Sequence, residues 1–167
     1  MFDIRLADFP RDLECVRALF RDYAASLDIS LDFQDFDSEL LGLPGQYALP
    51  RGRLLLAWPA GEALGEAVGC VALRPLEGPI CEMKRLYVSP RARASGLGRR
   101  LAEDICAHAR TAGYSRMRLD TLPSMSAARR VYGSLGFRPI PSYCFNPVPD
   151  TVFLERDLLE AVRGEVS

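Results

Sequence analysis

The segment Val88–Arg110, VSPRARASGLGRRLAEDICAHAR, constrains this chain more than any other. It leaves an aliphatic strand pattern, crosses a loop of arginines and glycines, and enters a helix pattern. Leu97, Leu101, Ile105 and Ala109 fall on one stripe of that helix, with Arg99, Arg100, Glu103, Asp104 and Arg110 elsewhere. Glycine inside a helical turn costs about 1 kcal/mol relative to alanine, so Gly96 and Gly98 answer a need for unusual dihedrals or for an uncovered backbone. Strand, glycine loop and helix start together aim free N–H groups and the positive end of a helix dipole at one point. That is an anion site, and Arg91, Arg93, Arg99 and Arg100 suit a ligand with several phosphates.

The loop departs from two common phosphate fingerprints. A dinucleotide site wants glycine where Leu101 stands, although Asp120 lies about where a ribose-binding acid belongs. A P-loop needs Gly-Lys-Ser/Thr, which the chain lacks. A glycine-tolerant turn beside a solvated basic face is the remaining alternative for this segment taken alone.

The rest of the chain reads as one domain spanning residues 1–167, without repeats, linkers or low-complexity tracts. Ile4–Ala7 predicts a strand, and Pro10 a helix start with Leu13, Val16, Phe20, Tyr23, Ala24 and Leu27 at helical spacing. The acid-only run from Asp28 to Glu39 predicts a short second helix. GRLLLAWPA, GEAVGCVALRPL and GPICEMKRLYVSP predict an antiparallel meander. After the arginine–glycine loop and its helix come the strand SRMRLDTL, the helix MSAARRVYGSL, and two last strands in FRPIPSY and TVFLERDL. The order β α α β β β α β α β β is that of a mixed α/β (α+β) layer fold.

The formal net charge of −1 excludes broad attraction to nucleic acid or an anionic membrane. No stretch reaches the roughly 18 apolar residues of a membrane span, and the acidic N-terminus is unlike a secretory signal, so the expectation is a cytoplasmic protein. Five scattered cysteines with one histidine, His108, predict neither a metal site nor a disulfide framework. Cys81 and Cys144 read as small buried residues, and His108 as a residue packed beside its helix stripe.

The segment RARASGLGRRL is similar, through Arg93, Gly96 and Gly98, to the R/Q-x-x-G-x-G/A motif of the GNAT superfamily of N-acetyltransferases. The strands CEMKRLYV and RMRLDTL match their places around it, and AARRVYGSLGF resembles the superfamily's A-x-x-x-Y-x-x-x-G-F segment through Ala128, Tyr132, Gly136 and Phe137. The resemblance spans residues 80–140. It implies a mostly antiparallel mixed sheet of six to seven strands flanked by about four helices, with acetyl-CoA in a V-shaped gap between CEMKRLYV and RMRLDTL. The cofactor's pantetheine would pair with backbone at Leu86, Tyr87 and Val88. Its pyrophosphate would lie on the amides of Ala94, Ser95, Gly96, Leu97, Gly98 and Arg99, with Arg93 beside them. The family often has asparagine where Met125 stands, so Ser124 or Ser126 takes that contact or it is lost. Arg129 and Arg130 are candidates for the ribose 3′-phosphate. The resemblance implies no metal.

A primary amine has a pKa of about 10, so about one molecule in a thousand is nucleophilic at pH 7 and the site needs a route for its proton. Glu82 stands where several family members carry a general-base glutamate, acting through a water or with a pKa raised by burial; a strand carboxylate paired with Lys84 or Arg85 is the alternative. Tyr132 matches the position that protonates the departing thiolate, and a backbone N–H near Leu86 or Tyr87 would stabilise the tetrahedral oxygen. The expected activity is direct acetyl transfer to a small-molecule or peptide amine, without an acyl-enzyme. Glu39, in the acidic run, and Tyr47, Tyr143 and Asn146 are candidate acceptor-binding residues. Family habit allows a homodimer. Two other classes stay open: a non-catalytic acyl-CoA sensor, and a partner-binding module using Asp35, Asp37 and Glu39.

Overall fold

The computed structural model describes residues 1–62 and 65–160. Its elements are β1 (Phe2–Leu6), α1 (Leu13–Ser26), α2 (Phe36–Leu41), β2 (Arg53–Pro59), β3 (Gly69–Glu77), β4 (Ile80–Val88), α3 (Leu97–Thr111), β5 (Arg116–Thr121), α4 (Ser126–Ser134), β6 (Arg138–Pro139) and β7 (Val152–Asp157). This is the order expected from the sequence. The strands form one seven-stranded sheet in the order β1-β2-β3-β4-β5-β7-β6. Every neighbouring pair is antiparallel except β4–β5, the parallel pair that α3 connects. Three boundaries moved. Pro10 precedes α1 by a turn rather than starting it, β1 begins at Phe2, and the strand expected in FRPIPSY shrinks to Arg138–Pro139. Pro139 and Pro141 bring no N–H to a ladder, so that edge cannot extend.

Side chains alternate between two faces of the sheet. Leu55, Val71, Leu73, Cys81 and Met83 pack beneath α3, whose predicted stripe of Leu97, Leu101, Ile105 and Ala109 is almost fully buried. Each such leucine contributes about 1.5–3 kcal/mol through burial. Leu54, Leu56, Trp58, Cys70 and Ala72 face the other way, under Val16, Leu19 and Phe20 of α1 and Phe36 and Leu40 of α2. Cover on both faces explains why β2 reads as an unbroken apolar run rather than an alternating one.

Two ionic contacts fix the α1–α2 layer to the sheet. Asp12, just before α1, accepts from the Arg5 guanidinium of β1 at 2.7 and 3.3 Å and from the Asp8 N–H at 2.7 Å. Burial pushes the Asp12 carboxyl up, but the Arg5 hydrogen bond, the Asp8 N–H and the nearby arginine charges outweigh it and hold it below its ordinary value of 3.8. The second contact starts at a bulge. Between the pairs Cys70↔Tyr87 and Ala72↔Lys84 the β3–β4 register slips by one residue, and Arg85 sits there with φ 62°. Its carbonyl faces the Cys70 thiol at 3.3 Å. Its side chain, 1% exposed, makes paired bonds of 2.9 and 3.0 Å to Glu39 of α2, between the rings of Tyr23 and Phe36.

Asp12→Asn is expected to lower unfolding free energy at pH 7 by about 1–2 kcal/mol, Arg5 being still partly solvated. Because the folded carboxyl titrates below 3.8, the difference is full above that value and closes as pH falls through the lower folded pKa, which urea unfolding across pH 2–7 would read. Glu39→Gln leaves the Arg85 cation without its counter-ion, and should cost about 3 kcal/mol, with part recovered when Arg85→Met is added.

Candidate active site

β4 and β5 pair at only three positions, Ile80↔Arg116, Cys81↔Met117 and Glu82↔Arg118, and then part. β4 stays bound to β3 as far as Val88, and β5 to β7 as far as Thr121, so the sheet splits without either strand losing its outer neighbour. The wedge between them has Lys84, Arg85 and Leu86 on one wall and Leu119, Asp120 and Thr121 on the other. Met125 and Tyr132 of the α4 region close it on one side, Tyr23 and Gln34 on the other. It is narrow, about 30 Å³.

The arginine–glycine loop lies at the end of β4. Ala94 (φ 60°) and Gly96 (φ 83°, ψ 2°) both take the left-handed conformation, which turns successive N–H groups inward. Gly96 is the N-cap of α3 and so cannot cap it with a side chain. The Ser95 hydroxyl bonds the Ala92 carbonyl and receives only a long contact, 3.4 Å, from the Leu97 N–H, and no described residue caps the Gly98 and Arg99 amides. A Cβ at Gly98 would meet the Val88 side chain at an ordinary 3.7 Å, so the protein's own packing does not demand glycine there. What glycine leaves is a bare surface over uncapped amides. Arg93 donates to the Val88 carbonyl at 3.2 Å, and Arg99 reaches Glu103 at 2.8 Å and the Ser134 hydroxyl of α4. Arg129 holds the Pro123 carbonyl at 3.4 Å, and Ser124 is exposed in the turn before α4. Met125, not Ser124, lines the wedge.

Tyr132 is 5% exposed and lines the wedge from α4, its ring edge-on to Phe137. Burial, then the charges of Tyr23 and Asp120, push its phenol well above the ordinary range, which keeps it protonated at neutral pH. Glu82 is 1% exposed and stands behind the wedge wall rather than on it. Its Oε1 accepts from Arg74 at 2.8 Å and its Oε2 from the Tyr143 hydroxyl at 2.6 Å, with Lys84 Nζ 3.9 Å away. The expected partners of this carboxylate were Lys84 or Arg85; its principal ion pair is with Arg74 across the β3–β4 hairpin.

Of the candidate acceptor residues, Tyr143 meets Glu82, and Asn146 Nδ2 donates to Asp120 Oδ2 at 3.1 Å, so the last loop is tied to both walls. Glu39 gives its carboxylate to Arg85 rather than to open solvent. Tyr47 is 4% exposed, edge-on to Phe20, and its hydroxyl finds no partner among the described residues. It lines a cavity of about 260 Å³ with Asp35, Ser38, Glu39, Gln46 and Arg74. Cys144 is exposed, against expectation, in the loop before β7, where its thiol lies 4.0 Å from Asp120 rather than in either core. His108 is half-buried on α3 and does not line the wedge. Among the described residues no cluster of three histidine, cysteine or acidic groups could hold a metal ion, and no helix is long and apolar enough to cross a membrane.

Sequence reasoning missed Lys84, Gln34 and Arg74, and saw Asp120 only as a ribose acid. One signal was present. A strand predicted for the middle of a sheet carries Glu82, Lys84 and Arg85 within four residues, and central strands bury charge only when it is matched.

The model of the acetyltransferase (GNAT) family matches residues 15–137. An uncharacterized N-acetyltransferase of Schizosaccharomyces pombe is 38% identical over 156 residues, covering 93% of this chain and 94% of the relative. A structure described as an acyl-CoA N-acyltransferase of Klebsiella pneumoniae superposes with TM-score 0.68 at 30% identity over 95% of this chain and 98% of its own. An acetyltransferase of Salmonella typhimurium, solved with its cofactor acetyl-CoA, has the same fold, with TM-score 0.68 at 20% identity over 100% of this chain and 99% of its own. With a parallel strand pair that parts over a glycine-lined helix start, and with these similarities, the chain belongs to the GNAT family of acetyltransferases.

Proposed function

We propose that the chain, as one domain, transfers the acetyl group of acetyl-CoA directly to the amine of a small molecule or peptide. The observation that carries this reading is the parting of β4 and β5 after Glu82↔Arg118, with the uncapped start of α3 at its mouth and Tyr132 on its wall. The cradle fits the donor on its own terms: left-handed Ala94 and Gly96, free amides at Gly98 and Arg99, no side chain at Gly98, and Arg93 beside them. Leu86, Tyr87 and Val88 would take the pantetheine, and Ser95 and Leu97 complete the phosphate loop. Arg129 would meet a terminal phosphate, and Ser124 would stand in for the asparagine contact that Met125 replaces. When bound, acetyl-CoA supplies a thioester carbonyl open to attack.

The chain's own groups handle the protons. The amine must shed one proton to attack and a second as the C–N bond forms and the C–S bond breaks. One proton returns to the sulfur, so one is released overall. Tyr132, held protonated by burial, is the donor to sulfur. Glu82 does not face the wedge, so its part in proton removal runs through water, with its Oε2 oriented by the Tyr143 hydroxyl that it accepts from. All five cysteines are free, which suits a reducing compartment, and a cytoplasmic location belongs to the same proposal.

Saturating acetyl-CoA, at a hundredfold its dissociation constant, should stabilise the protein by about 2.7 kcal/mol and raise the melting temperature by several degrees, with a much smaller shift in Gly96→Glu. No shift in either folded protein removes the acetyltransferase reading. With a working acceptor, Tyr132→Phe and Glu82→Gln should each lower kcat about 10²-fold while the acetyl-CoA shift persists. Unchanged kcat in both would reassign these residues to packing.

A further inference from the structure

Two opposite charges that line the wedge, Lys84 and Asp120, are not paired with each other. Lys84 is 8% exposed, and its Nζ donates to the neutral Gln34 Oε1 at 3.0 Å. The nearest carboxylate, Glu82, is 3.9 Å away through the same Oε1 that Arg74 already occupies at 2.8 Å. Glu82 thus gives its close ion pair to the part-exposed Arg74, and Lys84 has no carboxylate within hydrogen-bond distance, whereas the neighbouring Arg85 is matched by Glu39. Burial outweighs the nearby carboxylates and lowers the Lys84 pKa, the mark of an ammonium short of partners.

Across the wedge stands the reverse case. Asp120 Oδ2 accepts from the neutral Asn146 amide at 3.1 Å and lies 4.0 Å from the Cys144 thiol, while its other oxygen receives no donor from the described residues. Lys84 and Asp120 line the same wedge and form no ion pair with each other. Each is steadied by an uncharged amide, one from the segment between α1 and α2, the other from the loop before β7. Neither has a partner of opposite charge within hydrogen-bond distance among the described residues.

Resting on the acetyl-transfer reading, we infer that the acceptor is a small amine that also carries a free carboxylate, with the carboxylate held by Lys84 and the amine turned to the open oxygen of Asp120. A polyamine leaves Lys84 facing another cation. An aminocarboxylate satisfies both groups at once. The rest of such a molecule has space beyond Gln34, which also borders the 260 Å³ cavity where the buried Tyr47 hydroxyl lacks a partner.

The test compares free amino acids with their carboxamides and with the corresponding decarboxylated amines, scored by release of free CoA. The acid should exceed its amide in kcat/KM by about tenfold or more, chiefly through KM, the worth of one charged hydrogen bond. Lys84→Met, which removes a buried ammonium and so should fold, is expected to shrink that acid-to-amide ratio about tenfold. Amides or decarboxylated amines acetylated as well as acids by the parent enzyme would overturn the inference, with no variant needed. An unchanged ratio in Lys84→Met would overturn the role of this residue. Acetyl-CoA binding with no aminocarboxylate acetylated sinks the acceptor class and leaves the donor reading standing, whereas absence of acetyl-CoA binding sinks the donor reading itself.

Discussion

Everything that sets up this site depends on two parallel strands that pair three times and then separate. A separation in mid-sheet exposes ladder N–H and C=O groups, which natural structures do not leave buried and unmet. Here the cost stays small because each strand keeps its outer neighbour: β3 carries β4 to Val88, and β7 carries β5 to Thr121. The inner edges of Lys84–Val88 and Leu119–Thr121 thus form a slot of backbone polar groups held by a rigid sheet. The crossover that a parallel pair demands is α3, and its start must lie beyond the end of β4. The same topology that opens the slot therefore puts an uncapped helix N-terminus at its mouth.

The bulge at Arg85 settles how the slot is walled on its other face. One extra residue in β4 resets the alternation, so that Glu82 and Lys84 before it and Tyr87 after it all face the α1–α2 layer. Arg85, at positive φ, points the same way and is closed in by Glu39, Tyr23 and Phe36. A run of three charges inside a central strand is expensive unless each finds a partner. Arg74 and Glu39 meet two of these needs from within the fold. Lys84 is left with the Gln34 amide and a carboxylate 3.9 Å away, and the proposed acceptor would supply the closer counter-charge.

How much of this could be read from sequence follows from how far apart the interacting residues lie. The stripe on α3, the left-handed Gly96 and the strand–loop–helix cradle are local, set by spacing within about two dozen residues, and the chain spells them out. Tyr132 entered through the family resemblance of AARRVYGSLGF, and it does line the wedge. The Glu82 environment was not: Arg74 reaches it across a hairpin and Tyr143 from 61 positions away. Nor was the fate of Glu39, a candidate acceptor-binding residue by sequence, whose partner Arg85 is 46 positions distant and sits at the bulge. The short β6 is readable in principle, since Pro139 and Pro141 bring no N–H to a ladder.

On the proposed function, this division between local and distant parts also divides the molecule by role. The donor half is one continuous strand, loop and helix plus α4, and it lies within residues 15–137, the span that the family shares. The acceptor half is gathered from the segment between α1 and α2, the middle of β4, the end of β5 and the loop before β7. The last of these, with Tyr143 on Glu82 and Asn146 on Asp120, falls outside that shared span. A loop that clamps both walls of the wedge can change its side chains without disturbing the sheet split or the phosphate cradle. On the proposed reading, the acceptor preference of this chain would lie in Gln34, Lys84, Asp120, Tyr143 and Asn146, joined to one another by hydrogen bonds onto β4 and β5, and not in the motif that identifies the family.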